Sequence, residues 1–124
     1  QAMNRPALKA TFVTNEKGEP EFIESNGVKH YKIKLALDEV PEDAYAVTYE
    51  LDDSYYDPIR ENHDPSSGFT EELTSYGDYN VNVKVRSRMG TRMMRSSLAE
   101  ALEFGYRDQP SAAVRSAIEV IRKL

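Results

Sequence analysis

The 124-residue sequence contains no cysteine and only two histidines, His30 and His63. Without cysteine there is no disulfide framework and no thiolate metal site, which is compatible with a reducing compartment. No apolar run approaches the ~18 residues that a membrane-spanning helix needs. The first six residues, QAMNRP, include no apolar segment of the kind that a signal peptide carries. These absences predict a cytoplasmic domain that does not insert into a membrane.

Positive charge is scarce too: the formal net charge is -5. Acidic residues concentrate in residues 38–78, whereas residues 84–95, KVRSRMGTRMMR, carry only basic charge. Neutralising phosphates needs clustered lysine and arginine, so this acidic domain is a poor candidate for binding nucleic acid. The acidic region favours a basic partner such as a lysine-bearing peptide. A solvated acidic surface that only keeps the protein soluble is the alternative.

The chain is long enough for one domain with one core. Apolar and polar residues alternate in several short segments, which is the pattern of half-buried strands. Asn26-Gly27 is a strong signal for a type I′ hairpin turn, which needs positive φ at both positions. This pattern predicts an antiparallel β-sandwich. The predicted strands cover residues 10–13, 21–24, 31–37, 47–51, 69–73 and 80–86, with a further short strand near Ile59.

The C-terminal third is predicted to be helical. A first helix is expected from about Met89 to a C-cap at Gly105, and a second from Asp108 or Gln109, with Pro110 in its first turn. The sequence therefore predicts a β-sandwich over residues 7–88. A helical hairpin over residues 89–124 is expected to pack on it, so that the two parts form one compact unit. The helices are a candidate docking surface, and a homo-oligomer through them stays open. The second helix carries one apolar stripe, formed by Val114, Ala117, Ile118, Ile121 and Leu124.

No catalytic motif is present: the sequence has no GxSxG, HExxH, Walker loop or GxGxxG. His63 lies among acidic loop residues, where a lone histidine is usually not a metal ligand. Asp52-Asp53-Ser54 resembles the start of a calcium loop but lacks the glycine and the distal glutamate of an EF-hand. The sequence therefore predicts a protein that is not an enzyme and has no metal site and no cofactor.

The aromatic residues carry the strongest functional signal. Tyr31 and Tyr49 occupy inward strand positions and are predicted core residues. Tyr55 lies in the loop after residue 51, and Tyr76 lies at the turn before residue 80. Loops at one end of a sandwich lie close together, so Tyr55 and Tyr76 are expected to face each other across a slot for a planar or cationic group. The alternative is that loop tyrosines only plug the end of the sandwich.

Two segments resemble the YEATS family. They are YELDDSYYDP at residues 49–58 and FTEELTSYGDY at residues 69–79, followed by the valine-rich strand. The family has a strand ending in Leu-His-x-Ser-Phe, a proline-rich loop, and an aromatic-glycine turn before its last long strand. The resemblance covers about residues 28–88, and its turn is most similar to the prokaryotic branch. It implies an immunoglobulin-like β-sandwich, and in eukaryotic members a reader of acylated lysine with an aromatic cage.

The resemblance also implies roles for individual residues. Tyr55 and Tyr76 fall at the two aromatics that sandwich the acyl amide. Ser54 falls where a hydroxyl bonds that amide. Gly77 and Asp78 fall in the turn whose backbone bonds the amide oxygen.

Asp52 departs from the family pattern, because it falls where eukaryotic readers carry a histidine. A carboxylate accepts hydrogen bonds but does not donate them as a neutral imidazole does, so it favours a cationic ligand over a neutral amide. Prokaryotic members resemble adaptor modules found beside signalling or defence domains. Two hypotheses follow: an interaction module of a bacterial signalling or defence system, or a reader of modified lysine in the Tyr55/Tyr76 slot.

Overall fold

The computed structural model describes residues 6–124. The first five residues, on which the prediction about a signal peptide partly rests, lie outside the described residues. Within this range the strands predicted from alternation are all present, with shifted ends. In order they are β1 (Ala7–Phe12), β2 (Phe22–Ser25), β3 (Val28–Asp38), β4 (Ala44–Glu50), β5 (Ile59–Asn62), β6 (Glu71–Ser75), β7 (Asn80–Ser87) and β8 (Gly90–Ser97), followed by α1 (Leu98–Gly105) and α2 (Ala112–Lys123).

The first sheet is built around the long strand β3. All of its pairings are antiparallel: β1 and β2 lie along one edge of β3, and β6 lies along the other. Asn26 and Gly27 have φ of 52° and 76°, which confirms the predicted I′ turn between β2 and β3. Because β6 pairs with β3 through Tyr31↔Ser75, the loop that follows β6 lies beside the start of β3.

The second sheet has the strand order β5-β4-β7-β8 and is also antiparallel. Its inward side chains pack on those of the first sheet and form one core with them. Tyr49 is fully buried there, and its hydroxyl donates to the Phe69 carbonyl at 2.6 Å. Burial raises the pKa of Tyr49 well above its usual range. The prediction that Tyr31 and Tyr49 are core residues is confirmed, and so is the antiparallel sandwich.

The prediction that helix begins near Met89 is wrong. Residues 90–97 form β8, which pairs with β7 along its whole length from Ser87↔Gly90 to Asn80↔Ser97. Helix α1 begins only at Leu98, where Ser97 and Glu100 form a capping box. The boundary between the β part and the helices therefore lies at residue 97 rather than at 88.

Helix α1 packs against β1 with very little space between them. A Cβ added at Gly105 would lie 2.1 Å from the carbonyl oxygen of Ala10, so only glycine permits this approach. Gly105 is the last helical residue, and Tyr106 rather than Gly105 is the C-cap. The Tyr106 hydroxyl accepts a hydrogen bond from the Phe12 amide at 2.9 Å. The contact of α1 with β1 therefore covers an edge of the first sheet.

Helix α2 buries four of the five predicted stripe residues: Val114, Ala117, Ile118 and Ile121. The fifth, Leu124, lies beyond the helix and is 63% exposed. The predicted helix start is also wrong, since Pro110 lies before the helix and the N-cap is Ser111, whose side chain accepts from the Val114 amide. No helix within residues 6–124 has the length and apolarity to cross a membrane. A cytoplasmic location stays a prediction.

Candidate functional site

One cavity lies at the end of the sandwich where the β4–β5 loop, the β6–β7 turn and the first half of β3 meet. Its volume is about 490 Å³. All six residues predicted as ligand-binding line it: Asp52, Ser54, Tyr55, Tyr76, Gly77 and Asp78. The sequence therefore placed these residues together correctly, although their binding role stays a prediction.

The β4–β5 loop is held by a local turn at its tip. The Tyr55 amide donates to the Asp52 carbonyl at 3.2 Å, and the Ser54 amide donates to the Asp52 carboxylate at 3.1 Å. Hydrogen bonds from Ser54 hold the pKa of the Asp52 carboxyl below its ordinary value. Asp52 is therefore an exposed carboxylate at the mouth of the cavity that also orders the backbone of its own loop.

Tyr55 is fixed in place by its neighbours. Its hydroxyl donates to the Thr74 carbonyl at 2.7 Å and accepts from the Tyr79 hydroxyl at 2.9 Å. The Tyr55 and Tyr79 rings meet edge to face, with centroids 5.7 Å apart. Burial raises the pKa of both hydroxyls. Tyr55 is thus partly a core residue, and only part of its side chain lines the cavity.

The β6–β7 turn is fixed from inside by Ser75. The buried Ser75 hydroxyl donates to the Gly77 carbonyl at 2.7 Å and accepts from the Gly77 amide at 3.3 Å. Tyr76, between them, points out of this turn and is 53% exposed. Its ring meets His30 of β3 edge to face, with centroids 5.2 Å apart. Tyr76 is therefore the accessible aromatic of the site.

Asp78 connects the cavity to the helices. Its carboxylate accepts from the Ala99 amide at 2.8 Å in the first turn of α1, where the helix dipole favours a negative charge. The backbone amide of Asp78 donates weakly to the Leu124 carbonyl, at 3.4 Å. Leu124 also lies against Gly77, where an added Cβ would be 3.2 Å from its carbonyl carbon. The residue after α2 thus forms one wall of the cavity.

The two tyrosines predicted to face each other each pair with another ring. Tyr55 packs edge to face on Tyr79, and Tyr76 packs edge to face on His30. The rings of Tyr55 and Tyr76 border one cavity, but a parallel slot between them stays a prediction. The contacts of Tyr55 also support part of the plug alternative, because its hydroxyl closes the loop onto β6.

Sequence reasoning missed six further lining residues: His30, Tyr56, Thr74, Ser75, Tyr79 and Leu124. Thr74, Ser75 and Tyr79 are neighbours of the predicted turn, so the turn itself was a usable signal. Strand pairing brings His30 to the cavity, and the position of the end of α2 brings Leu124 there. Nothing in the local sequence around either residue indicates that it lines a cavity.

His63 lies outside this cavity, near Glu61. The distance from its Nε2 to the Glu61 carboxylate is 3.7 Å. The neighbouring Asp64 side chain caps the short 3-10 turn Pro65–Ser67. Within residues 6–124, no three histidine, aspartate or glutamate side chains are grouped so as to hold a metal ion.

The fold and the cavity define an immunoglobulin-like β-sandwich domain with a ligand-sized cavity between its end loops. Residues 31–95, just over half of the chain, match the model of the prokaryotic YEATS domain, and the chain belongs to this family. The resemblance seen in the sequence is thereby confirmed, and the match extends through most of β8. None of the curated proteins compared with the chain matches it significantly.

Solved structures of yeast Yaf9 have the same fold. The Yaf9 YEATS domain recognizing an H3K122suc peptide is 14% identical, with a TM-score of 0.55 over 93% of this chain and 91% of that one. The Yaf9 YEATS domain bound to H3K27ac is 18% identical, with a TM-score of 0.54 over 89% and 76%. The yeast AF-9 homolog protein Yaf9 is 16% identical, with a TM-score of 0.52 over 76% and 69%. At these identities the likeness shows the fold alone.

Proposed function

We propose that this domain is a non-enzymatic protein-interaction module of a bacterial signalling or defence system, and that its cavity takes a lysine side chain of a partner. The observation that carries this proposal is the convergence of the six predicted residues on one cavity. Membership of the prokaryotic branch supports the adaptor role. The peptide complexes of Yaf9, which has the same fold, support a peptide ligand.

The shape of the site suits a slender side chain that ends in a polar group. Tyr76 offers a half-exposed ring, and Tyr55 offers part of a ring whose position is fixed by two hydrogen bonds. A fixed aromatic wall loses little conformational entropy when a ligand arrives. An aromatic wall also attracts an ammonium group through its ring face.

The charges at the mouth of the cavity favour a cationic or neutral ligand over an anionic one. The carboxylates of Asp52 and Asp78 both line the cavity. Each carboxylate accepts one backbone hydrogen bond, Asp78 from Ala99 and Asp52 from Ser54. Asp52 is exposed whereas Asp78 is half-buried, so Asp52 is the more accessible group for an incoming cation. We therefore expect affinity to fall from unmodified lysine to acetyl-lysine and to be lowest for succinyl-lysine, whose acyl group ends in a carboxylate.

The test is titration calorimetry with three peptides that differ only in the state of one lysine: unmodified, acetylated and succinylated. Tyr76→Ala should abolish binding and leave the melting temperature nearly unchanged, because the ring is half exposed. Tyr45→Ala is the matched control, since Tyr45 is 54% exposed on β4 and does not line the cavity. Asp52→His should move the preference from unmodified towards acetylated lysine, because an imidazole both donates and accepts.

The outcomes separate the two functional hypotheses. Binding that survives Tyr76→Ala, or no binding of any of the three peptides, would contradict the lysine site. In that case Tyr55 and Tyr79 act as the plug that their hydrogen bonds already support, and the module works through another surface.

A further inference from the structure

The two edges of the second sheet differ in how they are covered. At the β5 edge, the Arg60 guanidinium donates to the Glu72 carbonyl at 3.2 Å, and Asn62 donates to the Thr70 carbonyl at 3.0 Å. These contacts tie β5 to β6 and its preceding loop. At the opposite edge, β8 pairs with β7 on one side and with no strand of residues 6–124 on the other. Strand β8 also comes close to β1 and α1. Its first four residues, Gly90–Met93, are nevertheless exposed, and their backbone groups are open to another chain.

This open edge carries a dense positive charge. Lys84 and Arg86 on β7, Arg88 in the turn, and Arg92 and Arg95 on β8 occur without any acidic residue in residues 80–99. Of these five cations, only Arg86 has an ion-pair partner within residues 6–124, which is Glu61 at 2.8 Å. The segment Gly90–Met93 is exposed at every residue, and Met93 is 72% exposed. The edge therefore offers uncompensated cations beside apolar surface.

A second copy of this chain is a poor occupant of the edge. Pairing two β8 strands would bring arginines of both copies onto adjacent strands, and like charges opposite one another destabilise a sheet. A nucleic acid is also disfavoured, because the net charge of -5 repels a long polyanion whose contacts extend beyond the local patch. A short acidic segment interacts only with the charges within about 10 Å of it, which here are basic.

We propose that β8 binds an extended acidic segment of a partner protein, which adds to the second sheet as a further strand. Register fixes what that segment must carry. Arg92 pairs with Val85 and Arg95 with Asn82, so the two arginines lie on opposite faces of the sheet. The segment therefore carries carboxylates three residues apart, which also face opposite sides. An apolar residue between them, on the same face as Met93, completes the match.

The test is fluorescence anisotropy with a labelled peptide of valines that carries two glutamates three residues apart. Arg92→Gln with Arg95→Gln should weaken its binding about tenfold, because two exposed ion pairs are lost. The control is the double variant Lys17→Gln with Lys34→Gln, which removes the same amount of charge at exposed positions outside β7 and β8. It should leave the affinity for the peptide unchanged. Methylating alternate backbone nitrogens of the peptide should also abolish binding, because strand addition needs those donors.

Three results would overturn the proposal. One is failure of the wild-type domain to bind the peptide. Another is unchanged affinity of the methylated peptide, which would mean attraction by charge without strand pairing. The third is tighter binding to a single-stranded DNA oligonucleotide or to anionic lipid vesicles than to the peptide. Tyr76→Ala should leave peptide binding at β8 unchanged, which separates this test from that of the lysine cavity.

Discussion

The end cavity and the β8 edge are opposite kinds of surface on one small domain. In the cavity, the polar groups that shape the walls are bonded to one another: Ser75 to Gly77, Tyr79 to Tyr55, and Asp78 to α1. At the β8 edge, four of the five cations have no ion-pair partner within residues 6–124, and no strand of that range pairs with the outer side of β8. The first surface is fixed before any ligand arrives, whereas the second has unsatisfied groups.

The two surfaces can therefore contribute to binding in different ways. A pre-organised cavity loses little entropy and can discriminate by shape and hydrogen bonding. A charged edge without partners attracts a complementary segment and fixes its register through backbone pairing. Helix α1 joins the two surfaces, because it follows β8 directly and its first turn is capped by Asp78 of the cavity turn.

Displacing α1 should therefore disturb both surfaces, and this is the largest effect that we expect. In Gly105→Ala the new methyl group would lie 2.1 Å from the Ala10 carbonyl, and overpacking against backbone should cost about 3 kcal/mol of unfolding free energy. Gly77→Ala is the matched control, since its methyl group meets Leu124 at 3.2 Å, beyond the end of α2. Urea denaturation measures both. Equal losses for the two variants would mean that the contact of α1 with β1 is not the tighter one.

The next effect should be confined to the cavity. Ser75→Ala removes the hydroxyl that satisfies the buried Gly77 carbonyl, and an unpaired buried acceptor should cost about 2 kcal/mol. Ser54→Ala, in the exposed part of the other loop, should change stability by no more than about 0.5 kcal/mol. Chemical denaturation again gives the comparison. A stability loss in Ser54→Ala as large as that in Ser75→Ala would contradict the internal fixing of the turn.

Much of the fold could be predicted from sequence because alternation reports burial directly. Val81, Val83 and Val85 alternate with polar residues and are all buried in β7. The main error concerns β8, because the helical spacing of Met94 and Leu98 predicts a helix where the structure has a strand. Pairing with β7 outweighs that local preference, and periodicity within the segment does not report pairing. The capping box Ser97-x-x-Glu100 was present in the sequence and marks the true start of α1.

The lining residues of the site could be predicted only where the topology of a sandwich brings two end loops together. Tyr55 and Tyr76 were placed correctly because end loops of a sandwich converge. The partners of their rings, Tyr79 and His30, could not be predicted, since ring orientation depends on tertiary packing. The role of Asp78 as a cap for α1 was also missed, because the helix was expected to begin elsewhere.

A smaller effect on the free energy of unfolding should appear at alkaline pH. It should be specific to the cavity, because β8 contains no tyrosine. Burial raises the pKa of Tyr79, so the native state keeps this proton above about pH 10 while the unfolded chain releases it. The unfolded state then binds fewer protons, and stability falls as pH rises above that point. Tyr79→Phe should reduce the loss at about pH 11 by about 1 kcal/mol. Tyr45→Phe, which removes an exposed hydroxyl on β4, is the matched control.

The smallest effect on stability should come from the edge itself, and it has a consequence for association. Arg92→Val with Arg95→Val should change the free energy of unfolding by no more than about 0.5 kcal/mol, because neither arginine has an ion-pair partner among the described residues. Removing these charges also removes the repulsion between copies, and it leaves an apolar strand with a free side. Light scattering at rising protein concentration should therefore show more self-association by the double variant than by the wild type. If the two proteins associate to the same extent, the arginines do not prevent pairing at this edge, and the contrast between the two surfaces is weaker than their charges indicate.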